Sequence, residues 1–104
     1  SVDDKSIIAL FFSRDEKAIT ESDNKYGHYC RTISFNVLND RQDADECTND
    51  TYLQAWNTIP PTKPESLKAY LGKIVRNISL NKLKAKQTQK RKRISQASGD
   101  DLVV

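Results

Sequence analysis

Apolar residues recur along this chain at steps of three and four and never at a sustained step of two, a pattern that predicts helices and no strand. Asp3-Asp4 suit the first turn of a helix, where carboxylates meet the positive end of the dipole. Ile7, Ile8, Leu10, Phe11 and Phe12 then supply the apolar side of a short first helix. Ser13 predicts the cap of a second, with Glu16 at capping-box spacing. That helix is long, because Ala18, Ile19, Tyr26, Tyr29, Cys30, Ile33, Phe35 and Val37 keep the same rhythm. Gly27 lies inside it, where glycine costs about 1 kcal/mol relative to alanine, and this predicts a close approach to another helix. Leu38-Asn39-Asp40 reads as a break, with Asn39 or Asp40 capping the next helix.

The third helix is predicted over residues 41–57. Ala44, Cys47, Thr51 and Ala55 form a buried stripe of small residues. Asp45, Asn49, Tyr52 and Trp56 share a second ridge, and Asp43, Glu46 and Asp50 take the exposed side. Pro60, Pro61 and Pro64 end the helix, because each removes a donor and fixes φ, and they make the corner stiff. Ser66 or Thr62 caps a fourth helix whose apolar stripe is Leu67, Leu71, Ile74, Val75, Ile78 and Leu83. Lys73, Arg76, Leu80 and Lys84 fall on a different, mostly basic side. From Lys82 to Arg93 the apolar rhythm is lost, which fits either an exposed helical extension or a frayed tail. The architecture expected is all-α: a compact bundle of about four helices over residues 1–94, the last long and basic, with residues 95–104 a linker toward a further domain.

Charge changes this picture. A chain of 104 residues makes one small domain or a piece of a larger protein, and its net charge of +3 conceals a division. Residues 1–65 hold seven Lys/Arg against twelve Asp/Glu, a net of −5; residues 66–104 hold ten against two, a net of +8. A basic half without acids to pair with suits a polyanion. A solvated tail would look similar, but Lys73 and Arg76 lie well inside the apolar rhythm.

The remaining chemistry is sparse. No apolar run approaches the length needed to span a membrane, and the first residues lack the basic start and apolar stretch of a signal peptide, so a cytoplasmic protein is expected. Cys30 and Cys47 then read as reduced, buried thiols. His28 is the single histidine, too few for a Cys/His zinc site. Asp43, Asp45, Glu46 and Asp50 spread around their helix rather than converge, and there is neither a nucleophile–base pair nor a Gly-rich phosphate loop. No enzyme, metal or cofactor is expected.

The run Asp43-Ala44-Asp45-Glu46-Cys47-Thr48-Asn49-Asp50-Thr51-Tyr52-Leu53, closing on Trp56, with Leu67, Ala69-Tyr70-Leu71, Lys73-Ile74, Arg76-Asn77, Leu80-Asn81 and Leu83 after it, resembles region 2 of sigma-70 family RNA polymerase sigma factors. The nearest type is the extracytoplasmic-function group, and the resemblance covers about residues 20–93. Asn49, Asp50, Tyr70 and Asn81 are mild departures from that group's pattern. The helix-turn-helix domain that reads the −35 element in such factors has no counterpart here.

The resemblance implies two surfaces. One docks on the clamp helices of the polymerase β′ subunit, through Asp45, Glu46, Asn49, Asp50, Leu53 and Trp56: carboxylates to orient a basic partner, and an apolar anchor at the centre. The other captures the single-stranded non-template strand of the −10 element as the duplex opens. Lys63, Lys68, Lys73, Arg76 and Lys84 would track phosphates, while Tyr70, Asn77 and the loop 58–63 would meet bases. Plain core packing remains open for Trp56 and Tyr70, and a helix–helix hydrogen bond for Asn77. Two other functions also remain open: a protein-only adaptor held by an anti-sigma factor, and a basic domain that binds nucleic acid without sequence preference.

Overall fold

The computed structural model describes the backbone of residues 2–103 and the side chains of residues 2–94. Among the described residues four helices succeed one another: α1 (Asp4–Phe12), α2 (Lys17–Leu38), α3 (Arg41–Thr58) and α4 (Leu67–Val103). No strand occurs among the described residues. The all-α bundle is as the periodicity predicts, and its boundaries are set by local caps. Asp3 accepts from the Ser6 amide at 2.8 Å, which also draws its carboxyl below the usual range. Asp40 accepts from the Asp43 amide at 2.9 Å, and Ser66 Oγ from the Ala69 amide at 3.2 Å. Asn39 ends α2 in the left-handed region at φ 53°, a conformation that asparagine tolerates.

Three expectations are corrected. Ser13 does not cap α2; it closes α1, its Oγ donating to Leu10 O at 3.1 Å. The chain needs further residues to turn, with Arg14 at φ 57°, and α2 begins only at Lys17. Leu38, assigned to the break, is the buried last residue of α2. Gly27 does not meet another helix. A Cβ there would run into the Asp23 carboxylate and the Arg31 guanidinium, whose 3.1 Å ion pair lies across it. The close approach between α2 and α4 is at Gly72, where a Cβ would stand 2.6 Å from Tyr29 Oη.

α2 packs against both α3 and α4, α3 packs on α4, and α1 covers one side of α2. Ile7, Phe11, Ile59, Leu67, Leu71 and Val75 are fully buried where these elements meet, each contributing about 1.5–3 kcal/mol. The small stripe of α3 is buried as predicted: Ala44, Cys47, Thr51 and Ala55. The Thr48 and Thr51 hydroxyls donate to carbonyls one turn back, which satisfies them without a partner helix. Cys30 and Cys47 are separate, buried thiols, and burial pushes the Cys30 thiol up to about 11. Two buried serines, Ser34 on α2 and Ser79 on α4, place their hydroxyls 2.7 Å apart.

α4 runs past the bundle. Among the described residues Leu83 is its last partly buried apolar one, and residues 84–94 are exposed. The stretch after Lys82 is therefore helical rather than frayed. Residues 95–103 continue its backbone; the side chains of the segment 95–104, read from the sequence as a linker, lie outside the described residues. No helix among the described residues is long and apolar enough to cross a membrane.

Candidate nucleic-acid and partner interfaces

α4 divides its cations between two faces. Lys82 points at α3, with Nζ 2.8 Å from Glu46 Oε1 and 3.6 Å from Asp43 Oδ1. One turn on, Lys86 pairs with the other oxygen of Asp43. The hydrogen bond with Lys86, then the charges of both lysines, hold the Asp43 carboxyl below the usual carboxylate range. Asp43 is therefore not on the open side of α3 as expected; its side chain is 15% exposed beneath the two lysines.

Lys73, Arg76, Asn77, Leu80 and Lys84 instead lie within an arc of about 100° on the opposite side of α4, given the helical turn per residue. All five are exposed. Among the described residues, Lys73, Arg76 and Lys84 make no ion pair, and Asn77 makes no side-chain hydrogen bond to another helix. From Lys73 to Lys84 the stripe extends about 16 Å. Lys68 stands apart from it on the α2 side, with its ammonium 4.9 Å from the Tyr29 ring centroid.

The proline corner joins this stripe to α3. Tyr70 is half-buried, and its phenol lies 2.7 Å from Thr58 Oγ1, tying the first turn of α4 to the last residue of α3. Ile59 is buried in the core, while Pro61, Thr62 and Lys63 are exposed. Lys63 also borders an open groove of about 710 Å³ between α1 and the loop, walled by Ile8, Phe12 and Pro64.

On α3, Asp45, Glu46, Asn49, Asp50 and Leu53 are exposed, Leu53 at 57%. Glu46 is engaged by Lys82, which leaves Asp45 and Asp50 as the carboxylates of this face outside any ion pair among the described residues. Trp56 is turned inward. Its ring packs on Phe11 with centroids 6.3 Å apart, and the Arg14 guanidinium covers it at 3.8 Å. Leu53 is thus the exposed apolar side chain of the acidic face. Arg14 and the pairing of Asp43 with Lys82 and Lys86 escape sequence reading, because their partners lie about forty residues away with no local spacing to mark them.

A basic stripe without ion pairs among the described residues is the electrostatic footprint of a polyanion-binding surface, and the acidic face of α3 lies apart from it. A family model, sigma-70 region 2, matches residues 24–89, and the chain belongs to that family. Membership gives it a sigma-factor role in transcription initiation, with RNA polymerase core and promoter DNA as its general partners. Neither a curated protein nor a solved structure matches the chain. Residues 2–23, which hold α1, the turn after it and the first seven residues of α2, lie before the matched span.

Proposed function

We propose that this chain is region 2 of an extracytoplasmic-function sigma factor, acting in the bacterial cytoplasm. In this reading it docks on the β′ clamp helices through α3 and holds the non-template strand of the −10 element along α4 and the proline corner. The observation that carries the proposal is the sorting of lysines on α4. Lys82 and Lys86 are paired with acids of α3, while Lys73, Arg76 and Lys84 are exposed and make no ion pair among the described residues. A stripe of this kind can track phosphates, and nucleobases can stack or hydrogen-bond where it meets the exposed loop. Asn77 lies inside the stripe with its amide available to a base edge. Tyr70, fixed to Thr58, shapes the end of the site rather than moving to meet a base.

The acidic face supports the second half of the proposal. Asp45 and Asp50 flank Asn49, with Leu53 one turn on as the apolar centre. Such a rim attracts a basic helix and sets its register, while the apolar residue supplies the anchor. Regulation by an anti-sigma factor would compete for the same surfaces.

Binding of a β′ clamp-helix fragment tests the docking half. Charge reversal by Asp45→Lys with Asp50→Lys is expected to weaken it at least about tenfold at low salt, and less at high salt. Unchanged binding would remove α3 from the proposal. A pool of random single strands, selected on the protein, tests the other half: enrichment of a common motif supports promoter reading, and recovery without a motif leaves only a basic nucleic-acid binder.

A further inference from the structure

We infer that Arg14, which lies outside the residues matched to the family, is a positioning residue that holds the proline corner in the shape needed to discriminate bases. The inference rests on the single-strand reading proposed above. Its starting point is the unfinished end of α3. The last carbonyls of a helix have no partner within it, and α3 has no basic residue of its own in its last turn. Ala55 O is taken by the Ile59 amide at 2.8 Å and Thr58 O by the Thr62 amide at 2.9 Å. One nitrogen of Arg14 serves two others, donating to Trp56 O at 2.8 Å and Ile59 O at 3.0 Å. A guanidinium has the donors for this and also favours the negative end of the helix dipole.

The same guanidinium lies over the Trp56 ring, 3.8 Å from its centroid. Arg14 therefore grips the corner from two sides: by carbonyls at its start and by the indole beneath it. Its backbone is set for the task. At φ 57° the residue adopts a conformation that glycine or asparagine takes more easily, and the side chain reaches α3 from that turn. Beyond the grip the side chains of Pro61, Thr62 and Lys63 are exposed, and their position depends on how the start of the corner is held, by Arg14 on Ile59, by Tyr70 on Thr58 and by the Thr62 amide on Thr58 O. Loss of the first anchor lets the loop tilt, which alters contacts to bases while leaving the α4 cations in place.

Arg14→Gly tests this most cleanly, because glycine keeps the left-handed turn and removes only the side chain. The probe is a fluorescent single strand enriched from a random pool by the unchanged protein, compared with its scrambled sequence. The expected result is a fall of about fivefold in the affinity ratio of selected over scrambled strand, the scale of couplings carried by side chains outside a site. Affinity for the scrambled strand and its salt dependence should stay nearly constant. Trp56 is the single tryptophan, so its emission should shift to the red and its quenching by acrylamide should rise. Arg14→Lys should recover part of the ratio. An unchanged ratio, or an equal loss for both strands, overturns the inference. If the unchanged protein itself shows no ratio, the strand reading has failed instead.

Discussion

One oxygen on Ser79 carries more of the α2–α4 contact than its size suggests. Its hydroxyl lies 2.6 Å from Val75 O and 2.7 Å from Ser34 Oγ, and both serines are fully buried. Ser79 Oγ is the donor in both contacts, so Val75 O and Ser34 Oγ share its single proton. The two substitutions are then unequal. Ser79→Ala strands the Ser34 hydroxyl and is expected to cost about 1–3 kcal/mol. Ser34→Ala leaves Ser79 bonded to Val75 and should cost less than about 1 kcal/mol. Denaturant unfolding of the two variants measures this; equal losses would show that Ser79 is not the donor on which the pair depends. Nothing in a helical pattern marks such a pair, since a serine on an apolar face reads as a tolerated interruption until its partner on another helix is known.

At the scale of elements, α3 and α4 are held together by charge where their apolar contact ends. Leu83 closes the core, and Lys82 and Lys86 then clasp Asp43 and Glu46. Asp43 has its carboxyl held low, so its contribution to stability is present above the ordinary aspartate range and lost as pH falls through the lowered value. In a series of thermal melts taken down through about pH 4, where an unperturbed aspartate titrates, the unchanged protein should lose stability that Asp43→Asn has already lost. Identical acid limbs would show that the clasp contributes nothing.

The elements themselves are legible in the sequence because their signals are local. Caps at Asp3, Asp40 and Ser66 act within three residues, and the stripe Ala44–Cys47–Thr51–Ala55 repeats the helix period. The start of α2 misleads because Ser13 and Glu16 have the right spacing, yet the backbone turns left-handed at Arg14 between them. The direction of Lys82 is hidden for the opposite reason. It belongs to the same basic run as Lys84, and only the packing of α3 decides which of the two is neutralised.

The whole molecule is electrically divided, but the division is not simply between its two halves. α3 neutralises the inner edge of α4, so the net positive charge read from the sequence is delivered mainly along the outer edge. Trp56 shows the same rule from the other side. Its position on the acidic helix suggests a partner's anchor, while its ring also packs within the chain, against Phe11 and under the Arg14 guanidinium. What a face offers to partners is the remainder after the fold has used its share, and this remainder is where sequence reading and structure differ most.

In the function proposed here, the outer stripe of α4 holds phosphates. A salt titration of single-strand binding by the double variant Lys73→Ala/Arg76→Ala tests it most directly. Each phosphate contact contributes about 0.7 to the slope of log affinity against log salt on a single strand, so the slope should flatten by about 1.4 while helicity is unchanged. A slope equal to that of the unchanged protein would mean that these cations touch no phosphate, and would contradict the account.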